Sequence, residues 1–276
     1  MPFFRRPDGK LVRDVPATRR IMPYLMRRRS EATVYFEQTL DLTRTLEAIE
    51  RHNARGNGKI GVFHVFVHAA LKAMHARPRL NRFTMGGRVY QRDGIWIAFS
   101  AKRSMDDSAP LTVAKRKFDP EADFAASLET LRGGVAESKT SERTRTDKEL
   151  GLVLALPSPF VRFFVWLVRF LDDWNLLPGF FIHGDPMYAS LFVANLGSVG
   201  LDAAFHHLYE YGNCPIFAAL GRVRKETSLG EDGKPVTRSV CTVRYSFDER
   251  IEDGLYCAAG LGLLKEIVEK AEFLAT

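Results

Sequence analysis

Alternating apolar and polar residues predict several β-strands, because successive side chains of a strand point to opposite faces of its sheet. Two such runs lie within residues 86–102, and the turn sequence Arg92-Asp93-Gly94 between them predicts a hairpin. A second hairpin is predicted around the turn at 231–235. The strands predicted in this way lie at 32–43, 86–102, 110–118, 188–226 (two strands around an irregular stretch) and 236–248.

Apolar residues that recur every three or four positions predict helices. The most apolar of these is at 61–77, where His64, His68, Lys72 and His75 form one polar stripe. Three histidines on one stripe are compatible with a metal site, and a half-buried polar stripe is the simpler interpretation. The other predicted helices lie around 21–29, at 44–56, at 120–137 (with a polar loop or extension at 138–149) and at 255–274.

The segment at 150–182 is apolar and rich in aromatic residues, but prolines and arginines interrupt it before the roughly twenty residues that a membrane span needs. Pro159 is well placed to begin a helix, on which Arg162 and Arg169 share one narrow face. Three interpretations stay open. The helix is buried in the core or between subunits, it lies at a membrane surface through 159–182, or it lines the site of a long acyl chain.

The order of the predicted strands and helices, with no internal repeat or long linker, indicates one mixed α/β domain, and the cysteines indicate a cytoplasmic protein. The chain has 276 residues, 46% of them hydrophobic, and needs no disulfides to bury a core. Cys214, Cys241 and Cys257 are an odd, sparse set without C-x-x-C spacing, which predicts reduced thiols.

The net charge of +7 favours polyanions, phosphates or anionic membrane surfaces as partners, and solubility alone explains it equally well. Part of this charge lies in residues 1–20, which we predict to be a basic N-terminal arm ahead of a domain at 21–276. The arm has no apolar run of signal-peptide length. No nucleic-acid-binding motif is present, so we expect no nucleic acid partner. The expected location is cytoplasmic, with a membrane-peripheral position as the alternative.

The densest run of charge lies between the last predicted strand and the last predicted helix. Asp248, Glu249, Arg250, Glu252 and Asp253 fall within six positions there. This strand-to-helix turn is the main candidate site.

Three segments in order resemble the catalytic domain of dihydrolipoyl acyltransferases, the core of 2-oxo acid dehydrogenase complexes. They are RRIMPYLMRRRSEATVYFEQTLDLTRTLEAI near the start, FVANLGSVG followed by CPIFAALGRVRK, and VRYSFDERIEDGLYCAAGLGLLKEI near the end. Chloramphenicol acetyltransferase shares that fold. The resemblance covers about 19–274 and departs at about 138–187, where the family usually has a shorter connection. It implies an α/β, chloramphenicol acetyltransferase-like two-layer sandwich with a mixed β-sheet, assembled as a trimer.

The family signature D-H-R-x-x-D-G appears here as DERIEDG, so Glu249 stands where the family has its general-base histidine. The resemblance implies that Arg250 and Asp253 shape the turn, with Asp248 in the same role. The family also has a serine or threonine before its N-L-G, which donates a hydrogen bond to the oxyanion. Here Ala194 precedes Asn195-Leu196-Gly197. Among other hydroxyls, Ser190, Ser198 and Ser246 are weak substitutes.

The substitution at Glu249 leaves the chemistry open. Histidine suits general-base work because its unperturbed pKa is about 6.5, whereas a free glutamate at about 4.3 is a poor base. Burial between subunits strengthens a carboxylate as a base, and a nearby cation such as Arg250 opposes this. Three functions follow: a CoA-dependent acyltransferase with a non-standard site, a catalytically inactive homologue that acts as scaffold or regulatory subunit, and a membrane-peripheral binding protein.

The resemblance also implies partners and substrates. CoA or acyl-CoA is the expected substrate, and no metal, nicotinamide or flavin is implied. The family builds homotrimers with active sites at subunit interfaces, and some members build larger cages. No lipoyl domain, linker or subunit-binding domain precedes residue 20, so we expect an acceptor other than dihydrolipoamide.

Overall fold

The computed structural model of the protein describes residues 5–56, 58–102, 111–140, 151 and 154–275. Short 3-10 turns lie at Pro78–Asn81, Leu196–Val199 and Glu272–Leu274. The strands are β1 (Arg5–Arg6), β2 (Gly9–Leu11), β3 (Thr33–Asp41), β4 (Arg82–Met85), β5 (Arg88–Arg92), β6 (Ile95–Lys102), β7 (Leu111–Phe118), β8 (Leu191–Asn195), β9 (Ile216–Leu229) and β10 (Pro235–Asp248). The helices are α1 (Ala17–Leu25), α2 (Thr43–Ala54), α3 (Val62–Ala76), α4 (Phe124–Thr140), α5 (Ser158–Asp173), α6 (Gly179–Gly184) and α7 (Gly254–Lys270).

The strands form two sheets. The larger one is mixed, with the order β3-β10-β9-β8-β6-β7, and β8 runs parallel to both β6 and β9 while the other pairs are antiparallel. The smaller sheet is antiparallel, with the order β1-β2-β5-β4. The expectation of an α/β fold with a mixed sheet is confirmed, and so is the hairpin of β9 and β10.

Strand β10 shows how the larger sheet separates two layers. Cys241, Val243, Tyr245 and Phe247 point into the main core, which α3 and α7 cover from one side. Apolar side chains at these alternate positions follow from the period of two in a strand. On the other face, Phe217 of β9 packs in a second apolar cluster beneath the irregular segment at 200–215.

The predicted hairpin at 86–102 is wrong in its pairing, although both strands exist. Strand β5 pairs with β2 and β4, whereas β6 pairs with β7 and β8 in the larger sheet. The chain passes from one sheet to the other through Asp93-Gly94, where Gly94 has a φ of +76°. The sequence pattern shows where a strand lies but not which strand it joins.

Residues 5–20 are part of the fold and not a separate arm, so the boundary predicted at residue 20 does not coincide with one in the structure. Strand β2 pairs with β5 in the smaller sheet. Arg6 and Asp8 are both buried, and their side chains form an ion pair at 2.9 Å. Helix α1 then begins at Ala17.

Helix α5 is not a core helix of the single chain. Val168 and Asp172 are its buried residues, while Phe163, Trp166 and Phe170 are exposed. Contact between subunits, membrane contact and an acyl-chain wall all stay predictions at this point. Within the described part of the chain, no helix has the length and apolar character to cross a membrane.

The polar stripe of α3 packs against the start of α4 and the turn before it. His68 Nδ1 lies 3.0 Å from Ser127 Oγ, Lys72 donates to the Pro120 carbonyl, and His75 pairs with Glu121. Among the described residues, no group of three or more His, Cys, Asp or Glu side chains could hold a metal ion. The three cysteines are free and buried, as predicted, while the cytoplasmic location stays a prediction.

Acid is expected to destabilise the protein through His68, which is only 3% exposed. Burial lowers the pKa of His68 to about 4 from an ordinary value of 6.5. Between these values the unfolded chain binds a proton that the folded chain does not, so stability falls as the pH drops from 6.5 to 4. We expect a loss of up to about 3 kcal/mol from this one group.

Urea unfolding at a series of pH values measures this effect. His68→Gln should flatten the dependence between pH 6.5 and 4, because glutamine does not titrate. Replacement of the exposed His207 by Gln is the control and should leave the slope unchanged. Equal slopes in the wild type and His68→Gln would contradict the prediction.

Candidate functional site

The charged turn after β10 is held by a buried ion pair between Asp248 and Arg250. Both residues are buried, and two nitrogens of the Arg250 guanidinium donate to the two carboxylate oxygens of Asp248 at 2.8 and 2.7 Å. The remaining nitrogen of that guanidinium donates to the carbonyls of Met26 and Arg27. Thr84 Oγ1 also lies 3.2 Å from Asp248 Oδ2. Arg250 is thus directed at Asp248 and the backbone after α1, not at Glu249.

Two further acidic side chains of the turn have structural partners. The Glu252 carboxylate is buried and accepts from Arg79 at 3.2 Å and from Arg82 at 3.0 Å. Asp253 caps α7, since its Oδ1 accepts from the Tyr256 N–H at 2.8 Å. Such a cap satisfies one of the free N–H groups at a helix start. The structure therefore gives Asp253 a capping role, and its Oδ2 lies 4.0 Å from Arg19.

Glu249 is the exception in this turn. Its backbone is fixed on both sides, because its N–H donates to the Ala32 carbonyl at 3.0 Å and its own carbonyl accepts from Arg19 Nη1 at 2.8 Å. Its side chain is half-buried. Within the part of the chain that the structure describes, no hydrogen bond or ion pair engages the Glu249 carboxylate. The turn therefore fixes the backbone position of Glu249 and leaves its carboxylate available to a substrate.

Several residues that contact this turn could not be recognised from the sequence as part of it. Arg79, Arg82 and Thr84 lie more than 160 positions before the turn in the chain. Arg29 adds a buried cation nearby, and burial lowers the pKa of its guanidinium although Asp248 and Glu210 oppose this. A basic residue within an arginine-rich stretch looks the same in sequence whether it is buried or exposed.

The Asn195-Leu196-Gly197 motif ends β8 and begins a 3-10 turn. Gly197 packs directly on the backbone of β9, where a Cβ at position 197 would overlap the carbonyl oxygen of Gly221. The absence of a Cβ at Gly197 therefore lets the turn approach the neighbouring strand. Close backbone approach is one of the uses of glycine that no other residue can replace.

Replacement of Gly197 by Ala is expected to destabilise the protein by about 1–3 kcal/mol, because the overlapping atoms are backbone and cannot rotate away. Gly262→Ala is the matched control, since a Cβ there meets nothing within 4 Å on an exposed face of α7. The control should stabilise the protein by about 0.5–1 kcal/mol. Chemical denaturation of both variants tests the pair, and equal effects would contradict the close approach.

The single chain does not bring the Asn195 motif next to Glu249. Asn195 pairs with Leu220, which in turn pairs with Val243, five residues before the end of β10. At about 3.4 Å per residue this separates Asn195 from Asp248 by roughly 17 Å along the strands, with two strand spacings of about 4.8 Å across. Of the predicted site residues, Glu249, Arg250 and Asp253 share the turn and Asn195 lies elsewhere.

Hydroxyl groups near Ala194 are already engaged. Ser198 Oγ donates to the Asn195 carbonyl at 2.7 Å, and Ser246 Oγ donates to the His206 carbonyl. Ser190 is fully buried, and its Oγ accepts from the Trp96 N–H. None of the three replaces the hydroxyl that Ala194 lacks.

Three solved structures share this arrangement of strands and helices over nearly their whole length. A probable dihydrolipoamide acetyltransferase of Listeria monocytogenes matches with a TM-score of 0.62 and 15% identity, over 95% of each chain. The dihydrolipoamide acetyltransferase of Azotobacter vinelandii matches with a TM-score of 0.59 and 12% identity, over 97% of this chain and 95% of that one. A chloramphenicol acetyltransferase matches with a TM-score of 0.53 and 15% identity, over 96% and 99%. The chain has the chloramphenicol acetyltransferase fold.

The likeness of fold is found by comparing structures, while comparisons of the whole sequence find no match. No protein-family model matches the chain, and no curated protein sequence matches it. The Azotobacter vinelandii enzyme has been studied for the role of a serine, a histidine and an asparagine in its catalytic mechanism. The sequence signature assigns Glu249 and Ala194 to the positions of a histidine and a serine, and this assignment stays a prediction.

Proposed function

We propose that the protein transfers an acyl group from acyl-CoA to a thiol or hydroxyl acceptor, with Glu249 as the general base. One observation carries the proposal. In a turn where Asp248, Arg250, Glu252 and Asp253 all have structural partners, the side chain at the position of the base is the one left unengaged. Its backbone is fixed by two hydrogen bonds, which suits a group that must meet a substrate at a defined place.

The reaction requires two proton transfers, one from the acceptor to Glu249 and one to the sulfur of the departing CoA. The Glu249 carboxylate takes the proton from the acceptor S–H or O–H, and the acceptor atom attacks the thioester carbonyl. The tetrahedral intermediate then collapses, the C–S bond to CoA breaks, and the CoA sulfur receives the proton. A carboxylate is a stronger base when a covering surface removes water from it. The Arg250 guanidinium is bound to Asp248 and does not contact the Glu249 carboxylate.

We further propose a homotrimer with each site shared between two copies. The distance between the Asn195 motif and Glu249 supports it, since one chain alone cannot place both at one substrate. A neighbouring copy could bring its Asn195 motif to this Glu249 and cover it. A larger assembly is a further step of the same proposal, and one structural neighbour is the cubic core of a pyruvate dehydrogenase complex.

Calorimetric titration with CoA and a chain-length series of acyl-CoAs tests the proposal, and it requires no knowledge of the acceptor. We expect micromolar binding that is tightest for one chain length, with one site for each subunit. The same titration with 3′-dephospho-CoA separates recognition of CoA from general attraction of anions to a basic protein. No binding of any acyl-CoA would overturn the donor assignment.

A catalytically inactive homologue with a scaffold or regulatory role is the second candidate. The observation that favours it is that Ser190, Ser198 and Ser246 are all engaged in other hydrogen bonds, because losing one oxyanion donor typically costs about 100- to 1000-fold in turnover. Binding of acyl-CoA without turnover toward a panel of thiol and hydroxyl acceptors would favour this candidate. Turnover by the purified protein alone would exclude it.

A further inference from the structure

A continuous strip of aromatic rings runs along the outside of α5. Phe163, Trp166, Phe170 and Trp174 succeed one another at spacings of three and four, and neighbouring ring centroids lie 5.7, 5.5 and 6.1 Å apart. The side chains are 59%, 56%, 43% and 50% exposed. We call these four residues the aromatic strip. An exposed apolar surface of this continuity marks an interaction site.

The opposite face of the helix fixes the direction of the strip. Val168 and Asp172 are buried, and each lies two positions, about 200° of rotation, from a member of the strip. Asp172 is anchored by an ion pair with Arg6 at 2.8 Å and by the Tyr188 hydroxyl at 2.7 Å. These buried polar contacts hold α5 in an orientation in which its aromatic side faces outward.

The apolar surface continues from α5 to α1. The turn between β4 and β5 lies between the two helices. A Cβ at Gly86 would overlap the Asp173 carbonyl at the end of α5, and one at Gly87 would lie 2.9 Å from the Tyr24 ring of α1. Tyr24 and Leu25 are 59% and 68% exposed. The two helices thus present neighbouring apolar side chains to solvent.

The exposed charges of these two helices are mostly positive. Arg162 and Arg169 are exposed on α5, and Arg20 is exposed on α1. Asp173 is the one exposed acidic residue that the two helices carry, and the whole chain has a net charge of +7. Aromatic and aliphatic side chains beside arginines form the chemistry that binds the headgroup region of an anionic bilayer.

We propose that α5 and α1 dock the protein on the surface of a membrane that contains anionic lipids, with the aromatic strip inserted among the headgroups. A two-fold contact between copies through α5 fits less well, because it would bring Arg162 and Arg169 of both copies together against only one exposed carboxylate, Asp173, from each. A contact of α5 with a different surface of a neighbouring copy, as in a trimer, is the competing occupant. The docking is independent of the acyl transfer proposed above and does not require that Glu249 be active.

Co-sedimentation with vesicles tests the docking. We expect the wild-type protein to bind vesicles of equal parts phosphatidylcholine and phosphatidylserine, and to bind pure phosphatidylcholine vesicles more weakly. Trp166→Ser combined with Phe170→Ser should reduce partitioning into the mixed vesicles about tenfold or more. Arg162→Glu combined with Arg169→Glu should remove the preference for phosphatidylserine. Phe205→Ser is the matched control, because Phe205 is 57% exposed and lies on another part of the surface.

Fluorescence supplies a readout of insertion. The chain has three tryptophans, so Trp96→Phe leaves Trp166 and Trp174 as reporters. Their emission should shift to the blue on the mixed vesicles and should be quenched by brominated lipid chains.

Light scattering tests whether the aromatic strip binds a second copy of the chain and not a membrane. If the Trp166→Ser/Phe170→Ser variant splits an oligomer into smaller species, the strip is an interface between copies and the proposal is overturned. Failure of the wild type to bind either vesicle, or unchanged binding by this variant, overturns it as well.

Discussion

Replacing Glu249 by Gln is expected to lower acyl-transfer turnover about 100- to 10,000-fold, the range that a positioned general base contributes. Glutamine keeps the size and hydrogen-bonding shape of the side chain but cannot accept the acceptor's proton. The backbone hydrogen bonds to Ala32 and from Arg19 do not involve the side chain, so the turn should keep its structure. The measurement is CoA-thiol release from the acyl-CoA that binds most tightly, in the presence of a panel of thiol and alcohol acceptors.

Two companion variants make this result interpretable. Glu249→His introduces the residue of the family signature and should retain or raise turnover. Glu266→Gln changes an exposed carboxylate on α7 and should have no effect on turnover. Full turnover in Glu249→Gln would show that another group takes the proton. Unchanged acyl-CoA affinity in the same variant would place the loss in the chemical step.

Replacing Asp248 by Ala is expected to cost about 3–5 kcal/mol of folding free energy, the largest stability effect at this site. Asp248 is fully buried, and its removal leaves the Arg250 guanidinium buried without a counter-charge. Thr84 also loses its acceptor. Since single domains are stable by only about 5–15 kcal/mol, this loss brings a chain of this kind close to unfolding at ordinary temperature.

Urea denaturation against a surface control measures the effect. Asp202 pairs with Arg222 at 3.0 Å with both side chains more than half exposed, so Asp202→Ala should cost less than about 1 kcal/mol. If Asp248→Ala proves too unstable to purify, Asp248→Asn supplies the measurement. Asp248→Asn keeps the size of the side chain and loses its charge, so we expect it to lower the free energy of unfolding by more than Asp202→Ala does. A smaller loss than that of Asp202→Ala would mean that the buried pair contributes nothing.

The sequence carried enough information for most elements and for the position of the candidate turn. Period-two alternation located β3 and β10, and the Gly-containing turn at 231–235 joined β9 to β10 correctly. These features are local, so a short window of residues contains them. The DERIEDG signature likewise placed Glu249, Arg250 and Asp253 together, because they adjoin in the chain.

The partners of the turn could not be predicted, because they are brought there by pairing between distant parts of the chain. Asp248 and Asp253 look equivalent in the signature, yet one holds Arg250 and the other caps α7. Glu252 binds Arg79 and Arg82 only because the end of α3 lies beside the start of α7. Likewise, the apolar segment at 150–182 left burial, membrane contact and an acyl-chain wall open, and the structure turns its aromatic side outward.

The backbone contacts of the candidate turn determine when it can form during synthesis. The hydrogen bonds from Arg19 to Glu249 and from Arg250 to Met26 and Arg27 join residues 223 to 230 positions apart. Strand β3 has β10 as its neighbour in the larger sheet, and the two strands pair residues 199 to 215 positions apart, from Asp41 with Val240 to Thr33 with Asp248. Contacts of such long sequence separation slow folding and leave apolar strand edges open in the meantime. During synthesis, β3 therefore has an unpaired edge until β10 has been made, and the turn that carries Glu249 forms only once both distant parts of the chain are present.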